Sequence, residues 1–233
     1  MKYPETRHEH VWWAPDRASW WIGVLFAIGS TCFLVGPVPG FVELVGSTVD
    51  GLVFFVGSIF FTSAAALQYV ESGFFRPRML DWWSSAVQLV GTVFFNISTF
   101  HALQAGLDAT EYNRLVWTPD ARGSICFLVS GCLAYVEVRG GQRTRTWWIA
   151  AVNLAGCAAF GISAVASHVV PSTGSARDLA RANLFTALGA LGFLIGALLL
   201  MPKGANDASP ASDDANHSRN REPRVTQKPR SPR

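Results

Sequence analysis

Charge is scarce in this sequence and nearly absent from its longest apolar stretches. Asp, Glu, Lys and Arg make up 15% of the 233 residues, against 50% apolar. Six apolar runs can be drawn, 20–38, 51–70, 82–103, 123–138, 147–168 and 182–201, and Glu137 is the one charged residue inside them. A soluble helical bundle would carry a polar face at helical spacing in every run, so that class is set aside. Cysteine is equally sparse. Cys32, Cys126, Cys132 and Cys157 all fall within the runs and form neither a disulfide framework nor a Cys-x-x-Cys spacing, so they read as small apolar packing residues. Phosphate-cradling glycine loops, His-Glu-x-x-His and Gly-x-Ser-x-Gly are all missing, which argues against an enzyme. No metal, cofactor or nucleic-acid partner is expected.

What is present are stretches of bilayer-spanning length. A helix needs about 20 apolar residues to cross a hydrocarbon core of about 30 Å. Five runs come close, and the fourth either borrows Leu115, Val116 and Trp117 ahead of Pro119 or lies where the bilayer is thinner. The expectation is therefore an all-α membrane protein whose partner is the lipid bilayer, with an amino-terminal arm (1–19), a six-helix transmembrane domain (20–201) and a disordered tail (202–233). Lys2, Glu5, Arg7, Glu9, Asp16 and Arg17 make the arm too charged for a cleavable signal, so the first helix would act as an uncleaved one. The tail turns to Asn, Asp, Ser, Pro and Arg and cannot bury a core.

Alternation through six helices puts fifteen Lys and Arg on the side of both termini and only Arg114, Arg122, Arg177 and Arg181 on the other. Short loops rich in these residues stay in the cytoplasm, so both termini are expected there. Trp20-Trp21, Trp82-Trp83 and Trp147-Trp148 each open an odd-numbered helix on that side, where an amphipathic ring suits the headgroup zone.

Those pairs begin a longer pattern. Each is followed after seven residues by Gly and after three more by Phe, as Gly29 and Phe33, Gly91 and Phe95, Gly156 and Phe160. The even helices carry Gly57 and Phe61, Gly123 and Phe127, Gly189 and Phe193, at a spacing of 66. Two markers recurring three times define a two-helix hairpin of about 65 residues, and the expected fold is six transmembrane helices as three parallel two-helix hairpin repeats about a pseudo-threefold axis.

The segments Phe26-Ala27-Ile28-Gly29-Ser30-Thr31-Cys32-Phe33 and Phe54-Phe55-Val56-Gly57-Ser58-Ile59-Phe60-Phe61 resemble the YrhK-like family of small bacterial membrane proteins. The resemblance implies a bacterial plasma membrane and brings neither an activity nor site residues. Mitochondrial carriers share the three-times-two arithmetic, but their Pro-x-acidic-x-x-basic motif is absent after each odd helix.

Candidate functional residues are few. Gln88, Thr92, Asn96 and Thr99 draw a polar stripe on one helix face, and Asn153 repeats the Gln88 position. Such a stripe either lines a solute path or supplies interhelical hydrogen bonds. Glu71 and Glu137 close the second and fourth helices near Arg76, Arg78, Arg139 and Arg143, as an ion-pair belt or a gate. His8 and His10 flank Glu9, too few ligands for a dedicated metal site. His101 and His168 lie at similar depth at the far boundary. The expectation is a non-enzymatic membrane protein, either a structural component that binds a membrane partner or its own copies, or a facilitator for a small uncharged solute whose flux depends on Asn96. The rival class is a redox protein holding haem or metal with His101 and His168, which would be coloured.

The basic-poor segments 41–50, 104–121 and 170–180 are expected to face away from the cytoplasm. Single cysteines placed there, in a chain stripped of its native four, should react with an impermeant thiol reagent on intact cells. Reaction at Ser72→Cys or Gln142→Cys instead would invert the orientation.

Overall fold

The structure, a computed structural model, describes residues 12–73 and 79–201. Its helices are α1 (Ala18–Val35), α2 (Phe41–Val45), α3 (Ser47–Glu71), α4 (Leu80–Ala102), α5 (Ala109–Tyr112), α6 (Thr118–Val138), α7 (Arg145–Ser167) and α8 (Leu179–Leu200). Among the described residues five helices are long and apolar enough to cross a membrane: Ala18–Val35, Ser47–Glu71, Ala109–Val138, Arg145–Ser167 and Leu179–Leu200. Helix α4 has 23 residues. Its Ser, Thr, Gln and Asn content keeps it outside that group.

The short fourth run is lengthened from its amino-terminal side. Asp108 opens α5 with a capping box that it shares with Glu111. A π-helical segment, Asn113–Trp117, then carries α5 into α6 as one 30-residue rod, and Leu115, Val116 and Trp117 lie within it. The wide turn has a local cause. Pro119 lacks an N–H, and its ring would crowd the carbonyl one turn back. The Thr118 N–H instead reaches the Asn113 carbonyl, and the Thr118 hydroxyl donates to the same oxygen at 2.7 Å.

One element departs from the all-α expectation, a two-residue antiparallel pair, β1 (Val169–Val170) and β2 (Ser175–Ala176). Pro171 drives Val170 extended, and Gly174 at φ 65° turns the chain back. The Asn113 amide clamps this hairpin to the π segment, donating to the Val169 carbonyl at 2.7 Å and accepting from the Val169 N–H at 3.1 Å.

The long helices close into a ring. Helix α1 packs on α3, α3 on α4, α4 on α6, α6 on α7, α7 on α8, and α8 returns to α1. Each brings one buried Gly four residues ahead of one buried Phe, so both lie on one helix face. In α1 and α3, a Cβ on Gly29 would stand 3.0 Å from the Phe61 ring, and one on Gly57 3.0 Å from the Phe33 ring. The same exchange joins α4 to α6, at 2.7 Å from Gly91 to Phe127 and 3.0 Å from Gly123 to Phe95. It joins α7 to α8 as well, at 3.1 Å from Gly156 to Phe193 and 2.9 Å from Gly189 to Phe160. Each ring therefore lies on its partner helix where a side chain is missing.

Polarity is turned inside out. The ten buried polar residues among those described are all Ser or Thr. Large apolar side chains such as Leu44, Ile125, Val165, Leu184 and Phe100 are more than half exposed. An apolar exterior of this extent belongs in lipid, where small residues and hydroxyls hold helices together.

Two glycines of α7 should respond oppositely to alanine. At Gly156 a Cβ would meet the Gly189 carbonyl at 2.9 Å, whereas at Gly161 it meets nothing within 4 Å. Gly156→Ala is expected to destabilise the detergent-solubilised protein by about 1–3 kcal/mol. Gly161→Ala should be neutral or stabilising by up to about 1 kcal/mol. Thermal unfolding of the two variants checks the contrast.

Candidate functional site

The phenylalanines that lock the helix pairs meet on the ring axis. Phe33, Phe95 and Phe160 form one triangle, with ring centroids 6.4, 5.9 and 6.1 Å apart. Phe61, Phe127 and Phe193 form a second, with sides of 6.5, 5.5 and 5.7 Å. The layers touch within each helix pair, at 5.4 Å between Phe33 and Phe61, 4.9 Å between Phe95 and Phe127, and 5.8 Å between Phe160 and Phe193. Aromatic pairs at such distances stabilise by about 0.5–1.5 kcal/mol beyond their burial. A cavity of about 10 Å³ among five of these rings has no polar wall, so it is dry.

Polar cavities lie on either side of this plug. At the end carrying the Trp pairs, one cavity of about 370 Å³ is walled by Asp81, Ser84, Gln88, Ser130, Glu137 and Asn153. A neighbour of about 250 Å³ includes Ser19, Phe26 and Glu71. Gln68, Ile149, Asn153 and Phe193 belong to both. At the opposite end a cavity of about 200 Å³ rests on Phe33, Phe95 and Phe160, with Ser98, Thr99, Asp120, Ser163, Asn183 and Thr186 around it. Among the described residues, the ionisable groups lining these three cavities are all acids, namely Glu71, Asp81, Asp120, Glu137, Tyr112 and Cys157.

Equivalent positions in the hairpin pattern fall on the same walls. Phe26, Gln88 and Asn153, and likewise Ser19, Asp81 and Thr146, line the cavities at the Trp end. Phe54, Asp120 and Thr186 line the opposite one. Asp120 was missed by the reading that kept charge out of the helix interiors, because the helix was taken to begin at Gly123. The rod starts at Ala109, which puts Asp120 about 16 Å along it. The spacing of 66 from Phe54 to Asp120 to Thr186 was the available signal.

The polar stripe of α4 divides. Gln88 reaches the Trp-end cavity and is approached by the Ser130 hydroxyl at 3.4 Å. Thr92 is fully buried and donates to the Leu89 carbonyl at 2.7 Å. Asn96 donates to the Thr62 hydroxyl of α3 at 2.9 Å. Thr99 pairs with the Ser58 hydroxyl at 2.9 Å and also borders the opposite cavity. Asn153 faces both Trp-end cavities, and its side-chain oxygen is buried without a hydrogen-bond partner.

Glu71 and Glu137 line the Trp-end cavities. Of the arginines expected near them, Arg76 and Arg78 lie outside the described residues, and Arg143 stacks on Trp147 at 5.3 Å. His8, His10 and the tail after Met201 also lie outside them. His101 packs edge-on to Phe100 at 5.7 Å, while His168 ends α7 against Trp117 at 4.7 Å. No group of three or more His, Cys, Asp or Glu is placed to hold a metal among the described residues.

Models of known families, curated proteins and solved structures give no match to this chain.

The Asn96–Thr62 bond ties α3 to α4 at membrane depth. A double-mutant cycle with Asn96→Leu and Thr62→Val is expected to give a coupling energy of about 0.6 kcal/mol, and at most about 2, from thermal unfolding in detergent.

Proposed function

We propose that this protein is a six-helix membrane protein, built of three hairpin repeats around a pseudo-threefold axis, that carries a gated axial pathway for a small solute. The observation that carries this reading is the alignment on one axis of polar cavities separated by a dry plug of six phenylalanines, one from each long helix. A narrow apolar constriction closes a pathway by excluding water, and it opens when its side chains withdraw or become polar.

The exposed face of α4 supports counting it as the sixth span. Trp83, Val90, Val93, Ile97 and Phe100 are exposed, while Ser84, Ser85, Thr92, Ser98 and Thr99 turn inward. Its polarity is thus spent inside the ring, as expected of a spanning helix whose neighbours satisfy it. The repeat is supported by the Gly–Phe exchange in the three helix pairs, and by Trp pairs with ring centroids 4.9 Å apart at the start of α1, α4 and α7. The excess of basic residues on the Trp side supports a cytoplasmic location for that end, and the YrhK-like resemblance supports a bacterial plasma membrane.

Among the described residues the cavity lining is acidic and carries no Lys, Arg or His, which disfavours anions, so the solute is a small uncharged or cationic molecule. Wild-type protein in proteoliposomes should show low flux, because the plug is closed. Phe95→Ser, which brings a hydroxyl into the ring stack, should raise the flux of glycerol or potassium several-fold, with Phe95→Leu as the apolar control of similar bulk. Asn153→Leu should lower that flux, whereas Asn96→Leu should leave it standing. Flux that stays at the level of empty liposomes in folded Phe95→Ser protein would sink the pathway reading.

A further inference from the structure

The three seams between neighbouring hairpins differ in how they are closed. In the α3–α4 seam, Phe55 and Phe100 meet at 5.8 Å, and Asn96 bonds to Thr62 at 2.9 Å. Advancing by the hairpin spacing to the α6–α7 seam replaces Phe55 with Ala121, Phe100 with Val165, Asn96 with Gly161 and Thr62 with Leu128. Two rings and a hydrogen-bonded pair give way to small or purely apolar side chains. A groove of about 850 Å³ opens there, with all four replacements on its wall. Gly161 faces open space. In the α8–α1 seam Leu34 holds the Gly161 position and packs against the core.

The groove is apolar along its length and charged at one end. From Ala121 to Leu128 it runs about 10 Å along the helix axis. At its mouth, away from the Trp pairs, stand Arg177 and Arg181. Asp178 shares that rim, caps α8 by accepting from the Arg181 N–H at 2.9 Å, and meets the Arg181 guanidinium at Nε, 3.7 Å away. Arg177 has no acidic partner among the described residues. We propose that this seam seats an anionic phospholipid, with one acyl chain between α6 and α7 and the phosphate at Arg177 and Arg181. An empty apolar slot is costly to leave unfilled in a packed bilayer, and a guanidinium pair at the headgroup boundary selects a negative headgroup over a zwitterionic one. The inference rests on the chain spanning a bilayer and is independent of any axial flux.

The test uses the full chain in nanodiscs of equal phosphatidylglycerol and phosphatidylcholine, released into mild detergent, with retained lipid counted by native mass spectrometry. Wild type is expected to keep one phosphatidylglycerol per chain in clear preference to phosphatidylcholine. The exposed double change Arg177→Gln with Arg181→Gln should remove that preference, an affinity loss of up to about thirtyfold. Ala121→Phe with Val165→Phe, which copies the closed α3–α4 seam, should abolish retention of either lipid. If that pair fails to fold, the arginine pair decides the matter alone. Equal retention of the two lipids by wild type, or a preference that survives loss of both arginines, overturns the proposal. Silent liposomes in the flux assay would leave this result untouched.

Discussion

Every long helix of this protein offers its neighbour a glycine and receives a phenylalanine in return, and the rest of the architecture depends on that exchange. In a bilayer, burying an apolar side chain against another helix gains little over leaving it in lipid, so helices are held by close approach and by specific contacts. A glycine lets the backbones come near, and the ring that fills the resulting notch touches the partner helix where a Cβ would have stood. Because Gly and Phe are four residues apart in each helix, the exchange fixes both the rotation and the depth of the helices it joins.

Closing the ring then concentrates the rings on the axis. Two triangles of phenylalanine stack across the helix pairs, edge to face at Phe33–Phe61 and tilted at the other two, leaving a dry middle and room at either end. The end cavities collect whatever polar groups the inward faces carry, since hydroxyls, amides and carboxylates have no place on the lipid side. Several hydroxyls on the cavity walls are also satisfied between helices. Ser84 donates to the Ser130 carbonyl at 3.0 Å, and Ser130 returns the bond to the Ser84 carbonyl at 2.8 Å. Ser163 likewise bonds the Ala182 carbonyl at 2.9 Å and the Thr186 hydroxyl at 2.7 Å.

On the proposed reading, function resides in the places where the proposed hairpin repeats differ. Phe54 sits over Gly36 and seals one flank of the cavity opposite the Trp end, while the matching Asp120 and Thr186 keep the other flanks polar. The seams show the same division, one stitched by Phe55, Phe100, Asn96 and Thr62, and another left open beside Arg177 and Arg181.

The sequence by itself determined the helical, membrane-like class, through long runs free of charge, and it carried the Trp-Trp, Gly and Phe spacing on which the proposed repeat rests. Those signals are local or periodic, so they survive without coordinates. It also marked Gln88, Thr92, Asn96 and Thr99 as one stripe, because it could assign them to a face of a helix and no further. Only the packed ring decided that Asn96 belongs to a seam, Thr92 to the interior, and Gln88 and Thr99 to cavities on opposite sides of the plug. A helix face spans more than one neighbour, and which part of it meets a partner helix, the axis or the lipid depends on rotations set by contacts distant in sequence. Asp120 escaped for a related reason. Its place on the cavity wall depends on a helix that begins at Ala109 and passes Pro119 through a π turn, which is held by Asn113 against a strand 56 residues away.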